Sequence, residues 1–135
     1  MKKMIGALGM LAAMSAAPLS AQDAAETCSL LNGAAIVNDD GEYLGRISPP
    51  SDRESIFNEY GEYGNPYRSD SIWNEYGKNG SEYRQGSAFN PYTRNPPIIV
   101  KQGQAIGYLS VNKSLPSSVH PALVGIVCYD VTPPR

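Results

Sequence analysis

Beyond Leu31 the large aliphatic side chains gather in three stretches and almost vanish in between. The first, Ala35 to Ser48, and the second, Ile98 to Ser110, share one layout. An apolar run (Ala35-Ile36-Val37; Ile98-Ile99-Val100) leads into a polar turn with glycine, then apolar-apolar-Gly-any-apolar-Ser (Tyr43-Leu44-Gly45-Arg46-Ile47-Ser48; Ala105-Ile106-Gly107-Tyr108-Leu109-Ser110). β-Branched and aromatic residues on either side of a glycine-bearing turn, with Asp40-Gly41 in the first, predict two β-hairpins. The third stretch, Ala122 to Tyr129, is apolar throughout apart from Gly125 and predicts a buried strand ending at Cys128.

Between Ser51 and Pro97 the only large aliphatic residues are Ile56 and Ile72. Here the chain repeats with a period of 16, reading S-I-F-N-E-Y-G-E-Y-G-N-P-Y-R-S-D from Ser55, S-I-W-N-E-Y-G-K-N-G-S-E-Y-R-Q-G from Ser71 and S-A-F-N-P-Y-T-R-N-P-P from Ser87. Ser55, Ser71 and Ser87 occupy equivalent places, as do Phe57, Trp73 and Phe89, then Asn58, Asn74 and Asn90, then Tyr60, Tyr76 and Tyr92, in copies spanning 55–70, 71–86 and 87–97. A serine opening each copy is an N-cap, and Gly61 and Gly77 suit the left-handed conformation that ends a helix. So close a pair allows little more than one helical turn, and Gly64, Gly80 and Pro66 limit any continuation.

With so few aliphatics, aromatic rings must supply the buried area: Tyr60, Tyr63, Tyr67, Tyr76, Tyr83 and Tyr92 with Phe57, Trp73 and Phe89, their polar tips reaching hydrogen-bond partners. Each copy then covers the next, and the array needs capped ends. The expected fold class is a small β-rich mixed domain, in which two β-hairpins plus a C-terminal strand flank three 16-residue repeats of short helical turns and loops.

Ahead of this lie Lys2 and Lys3, an apolar stretch from Met4 to about Ala17, and Pro18-Leu19-Ser20-Ala21. That order reads as a secretory signal peptide over residues 1–21, too short for the ~20 apolar residues of a membrane span. Residues 22–135 then form a single domain with no later membrane span. Removing Lys2 and Lys3 leaves 9 basic against 13 acidic residues, a net charge of −4. The basic residues are scattered singly, which disfavours nucleic acid and anionic lipid as partners. Cys28 and Cys128 are the only cysteines, and export places them where thiols oxidise, so a disulfide is expected. Neither sits in a C-x-x-C or beside a basic residue that would make it a reactive thiol, and Cys28 stands too far past the apolar stretch to be a lipidated cysteine. The expected location is exported, periplasmic or secreted.

Candidate chemistry is sparse. His120 is the only histidine. It precedes Pro121 in a loop-like stretch without a G-x-S-x-G elbow, and reads as an exposed structural residue rather than a base. Glu59, Glu62, Glu75 and Glu82 offer carboxylate pairs for glycoside hydrolysis, but Pro91 takes the place of Glu59 and Glu75 in the third copy, as at a solvated position. Asn58, Asn74, Asn90 and Asp39-Asp40-Gly41-Glu42 offer oxygens suited to calcium, without an EF-hand or nonapeptide pattern. Repeated asparagines more often bond the backbone of their own turn. No catalytic, cofactor or metal residue is therefore assigned. Aromatic faces beside Asn and Tyr could stack on sugar rings and bind multivalently, a reading that competes with the need to bury the same rings.

The frame F-N-E-Y-G-x-Y-G, followed by P-P-I-I-V and I-G-Y-L-S-V-N, resembles small secreted bacterial proteins of unknown function with Asn-x-Tyr-Gly repeats between short β-hairpins. The likeness runs from Tyr43 to Asn112. In those relatives each unit tends to read Tyr-Gly-Ser-x-Tyr-Ser. Here Asn79 replaces the second Tyr of the middle copy and Thr93 replaces Gly in the last. The resemblance implies the architecture and no catalysis. The expected function is an exported repeat domain, a non-enzymatic structural or binding module of the cell envelope. The alternative is a module that binds cell-wall polysaccharide or peptidoglycan through the repeat aromatics, and a hydrolase using His120 or a calcium-binding protein ranks below both.

Overall fold

The structure, a computed structural model, describes residues 21–135; the leader expected over 1–21 lies, but for Ala21, outside them. Helix α1 (Ala21–Leu31) is followed by strands β1 (Ala35–Val37), β2 (Tyr43–Arg46), β3 (Ile98–Lys101), β4 (Gln104–Leu109) and β5 (Ser118–Val119), then helix α2 (Pro121–Tyr129). Both hairpins form. Gln102 and Gly103 carry positive φ (52° and 79°), as a two-residue turn between twisted strands requires. In the first hairpin Asn38 Oδ1 accepts from the N–H groups of Asp40 and Glu42 at 3.0 and 2.9 Å, and Gly41 takes φ 84°.

The two hairpins, expected at opposite ends of a repeat array, lie side by side instead. β1 pairs antiparallel with β3 (Ala35↔Val100, Ile36↔Ile99, Val37↔Ile98), and the sheet runs β2-β1-β3-β4-β5, with β5 parallel to β4. The result is a five-stranded mixed sheet. An isolated two-stranded hairpin is marginal in water, whereas joining the two buries Ile36 against Ile99, with Leu44 and Leu109 in the same core. Residues 47–97 therefore leave and return to one sheet.

Ala122 to Tyr129 is helical rather than the expected buried strand. A continuous apolar run carries no period that separates the two states, and the decisive signals sit at its ends. His120 Nδ1 accepts from Ala122 N–H at 3.1 Å, Pro121 fits the first helical position, and Asp130 closes the helix in the left-handed conformation (φ 55°) with its N–H on Gly125 O. Leu123, Ile126 and Val127 of this helix face outward. Among the described residues no helix is long and apolar enough to cross a membrane. α1, which the sequence reading left unassigned, is tied to α2 by the Cys28–Cys128 disulfide, Cα atoms 5.4 Å apart. The Lys101 ammonium donates to the carbonyls of Ser29, Leu30 and Asn32 at the end of α1.

His120 is thus a half-buried helix cap and not an exposed loop residue. The cap needs an unprotonated Nδ1. Burial first, then the Lys113 charge, hold the imidazole below its ordinary value of 6.5. With the folded pKa below the unfolded one, the unfolded chain binds the proton first as pH falls, so stability is full above about 6.5 and declines below it. Thermal melts should therefore show a lower midpoint at about pH 5 than at about pH 7.5, and His120→Asn, which keeps a capping acceptor, should shrink the difference.

Residues 49–93 form no helix; they are a succession of tight turns and loops, closed mostly between residues three apart. Ser55 N–H reaches Asp52 O, Asn58 reaches Ser55, Gly61 reaches Asn58, Asn65 reaches Gly61, Arg68 reaches Asn65, Ser71 reaches Arg68, and Asn74 and Gly77 continue the series. Gly61 and Gly77 are not left-handed helix ends, since neither has positive φ. Glycine is needed in this segment for close approach. A Cβ on Gly80 would lie 2.3 Å from the Asn74 carbonyl oxygen, and one on Gly64 would lie 2.1 Å from that of Asn58. Gly80→Ala should accordingly cost about 1–3 kcal/mol or more, as overpacking against backbone does, measured by urea titration.

Candidate functional site

Two kinds of tripeptide corner recur along the turn segment, and they send their aromatic rings in opposite directions. In the first, a serine hydroxyl accepts from the N–H two residues on: Ser55 from Phe57 (2.9 Å), Ser71 from Trp73 (3.1 Å) and Ser87 from Phe89 (2.9 Å). These serines are fully buried, and Phe57, Trp73 and Phe89 point inward beside Ile56, Ile72 and Ala88. The ring centroids of Phe57 and Trp73 lie 6.1 Å apart and those of Trp73 and Phe89 5.6 Å apart, a tilted stack at the spacing aromatic pairs favour. The Trp73 indole N–H donates to Ile56 O at 2.6 Å.

In the second kind, an asparagine does what the serine did. Asn58, Asn74 and Asn90 Oδ1 accept from the N–H groups of Tyr60, Tyr76 and Tyr92 at 3.0, 2.9 and 2.9 Å, while their Nδ2 groups donate to the carbonyls of Asp52, Arg68 and Arg84. Both ends of each amide are thereby bonded to the backbone, the asparagine oxygens considered for calcium among them. The three tyrosines stand 87, 85 and 85% exposed. Tyr67 and Tyr83 form a second set, 90 and 84% exposed, on corners made by Asn65 and Ser81.

The expectation that the tyrosines fill the core is thus overturned for five of the six. A path closed by successive tight turns leaves little room inside, and Ile56 with Phe57, Ile72 with Trp73 and Ala88 with Phe89 take it. Of the repeat-region tyrosines only Tyr63 is part-buried, packed edge-on to Tyr43 at 5.2 Å. Tyr67 and Tyr83, also 16 residues apart, are read from the sequence as core rings, because a count of aromatics does not say which of them face out. The shorter signal, Asn or Ser two residues ahead of each tyrosine, is present in the sequence at Asn65-Pro66-Tyr67 and Ser81-Glu82-Tyr83.

The other candidates fall into place around these corners. Glu59, Glu62, Glu75 and Glu82 are exposed, and the Glu59 carboxylate holds the Tyr60 phenol above its ordinary pKa. The His120 ring meets Phe89 edge-on at 6.3 Å. The carboxyl end runs along the buried stack, with Tyr129 5.5 Å from Phe57, the Arg135 guanidinium 4.1 Å from the centre of Phe89, and Arg135 donating to Gly80 O. Beside Tyr92 a cleft of about 510 Å³ opens between the last turns of the segment and the loop after β4. A second, apolar groove of about 400 Å³ lies between α1 and α2. Comparison with family models, with curated proteins and with solved structures gives no match for this chain.

Proposed function

We propose that residues 55–97 are a tandem array of three 16-residue units, and that the domain is an exported, non-catalytic module binding polysaccharide of the cell envelope through the tyrosines of that array. The observation that carries this reading is the division of the aromatics, with Phe57, Trp73 and Phe89 inside and Tyr60, Tyr67, Tyr76, Tyr83 and Tyr92 out in solvent. A chain this small has every reason to bury large rings, so five exposed phenols on hydrogen-bonded corners point to a use in water. Phenol faces stack on the apolar faces of sugar rings, and their hydroxyls donate and accept. Corners fixed by side-chain-to-backbone bonds hold the backbone that carries the rings, so only the side-chain rotamers remain to be ordered on binding. Tyr60, Tyr76 and Tyr92 stand on the same asparagine-made corner at equal spacing in the chain, which suits a ligand that itself repeats. The resemblance to secreted Asn-x-Tyr-Gly repeat proteins favours the same architecture, and the disulfide suits an oxidising compartment.

Weak contacts of this kind gain by linkage. Sedimentation with peptidoglycan and with insoluble polysaccharide fractions should retain the protein, and the triple variant Tyr60→Ala, Tyr76→Ala, Tyr92→Ala should lose retention by about a hundredfold while its melting midpoint stays unchanged. Equal retention of the triple variant would overturn the reading.

A further inference from the structure

Tyr92 differs from Tyr60 and Tyr76 in its surroundings. Glu59 and Glu75 precede the first two, but Pro91 precedes Tyr92. The cleft beside it is lined by Tyr92, Arg94, Asn112, Lys113 and Ser114 over an apolar side that includes Val111 and Leu115, and no acidic residue lines it. Arg94 and Lys113 are exposed, and among the described residues neither pairs with a carboxylate. Both line this one cleft, in a chain whose net charge is negative.

The two segments that carry them are locked together. Buried Asn112 donates to Thr93 O at 2.7 Å and accepts from Ser114 N–H at 2.9 Å, its own N–H is held by Ser110 Oγ at 3.0 Å, and Val111 N–H reaches Ala88 O at 2.9 Å. Arg94 follows Thr93 and Lys113 follows Asn112, so this set of bonds fixes the backbone spacing of the two cations. A planar guanidinium suits a carboxylate in two-point contact, an ammonium adds a charge, and a phenol beside them offers a ring face.

We propose that this cleft is an acidic-sugar subsite, which takes the carboxylate of a uronic acid between Arg94 and Lys113 while the sugar ring packs on Tyr92. The inference rests on the polysaccharide reading above and gives the tyrosine row a direction. Glu59 and Glu75 repel anionic sugars from its first two positions, and the third accepts one.

Glucuronate, its uncharged methyl ester and inorganic phosphate are the probes, titrated into the ¹⁵N-labelled protein and followed by amide and Arg Nε–H shifts. The expected result is saturable shifts confined to residues 91–95 and 111–115 plus Arg94 Nε–H. The ester should bind about tenfold more weakly or worse, because charge-assisted hydrogen bonds are about twice as strong as neutral ones. The double variant Arg94→Ala, Lys113→Ala should erase the difference between acid and ester while leaving amide shifts elsewhere in place. Equal affinity for acid and ester, shifts centred elsewhere, or no binding of glucuronate would overturn the subsite. Phosphate binding as tightly as glucuronate would reduce it to a bare anion site and overturn the sugar assignment. Retention on neutral polysaccharide through Tyr60 and Tyr76 would survive each of these outcomes, so the two readings fail separately.

Discussion

Trp73→Ala is expected to lower the stability of the folded chain by about 3–5 kcal/mol, the usual cost of deleting a large ring from a packed interior. Trp73 is 1% exposed and lies between Phe57 and Phe89, so its loss opens a cavity in the middle of the stack. It also strips the Ile56 carbonyl of its indole donor. Trp73→Phe separates the two effects. The ring contacts largely remain while the buried carbonyl loses its partner, and the expected cost falls to about 1–3 kcal/mol. Chemical denaturation of the two variants beside the parent chain measures both, and a Trp73→Ala variant as stable as the parent would show that the stack does not hold the segment.

The second large effect belongs to the disulfide. Cys28 and Cys128 are separated by 100 residues, and releasing a loop of that length restores about 4.7 kcal/mol of conformational freedom to the unfolded chain in the loop-entropy treatment. The double variant Cys28→Ser, Cys128→Ser should therefore melt well below the parent, by roughly 10–25 °C. The bond joins α1 to α2, and the sheet reaches α1 through the Lys101 ammonium. Loss of amide protection should accordingly begin in α1 when the disulfide is reduced, with the sheet and the aromatic stack holding longer. A midpoint unmoved by reduction would mean that the two helices are held by packing alone.

Both hairpins and the pairing of the two cysteines were legible in the sequence, because each depends on a local cue: a glycine turn between β-branched runs, and two thiols with no other chemistry open to them. Their union into one sheet was not, since the β1–β3 pairing joins residues about sixty positions apart and leaves no periodic trace. Ala122 to Tyr129 misled because its apolar run hid the period of a short helix, although His120 and Pro121 stood at the start as a cap and a first-turn proline. The tyrosines misled for a different reason. A Ser-x-aromatic and an Asn-x-Tyr corner make the same backbone bond, and composition cannot say which of two successive corners faces the interior. The interior takes the rings of Phe57, Trp73 and Phe89, each two residues after a small, fully buried serine.

That division between inward and outward rings is the claim on which the binding proposals rest, and nitration of tyrosines by tetranitromethane, mapped by mass spectrometry on the folded protein, tests it most directly. Tyr60, Tyr67, Tyr76, Tyr83 and Tyr92 should react fast and Tyr63 and Tyr129 slowly, and a retained polysaccharide should protect Tyr60, Tyr76 and Tyr92. Slow reaction at Tyr60, Tyr76 and Tyr92 in the free protein, no faster than at Tyr63, would contradict it.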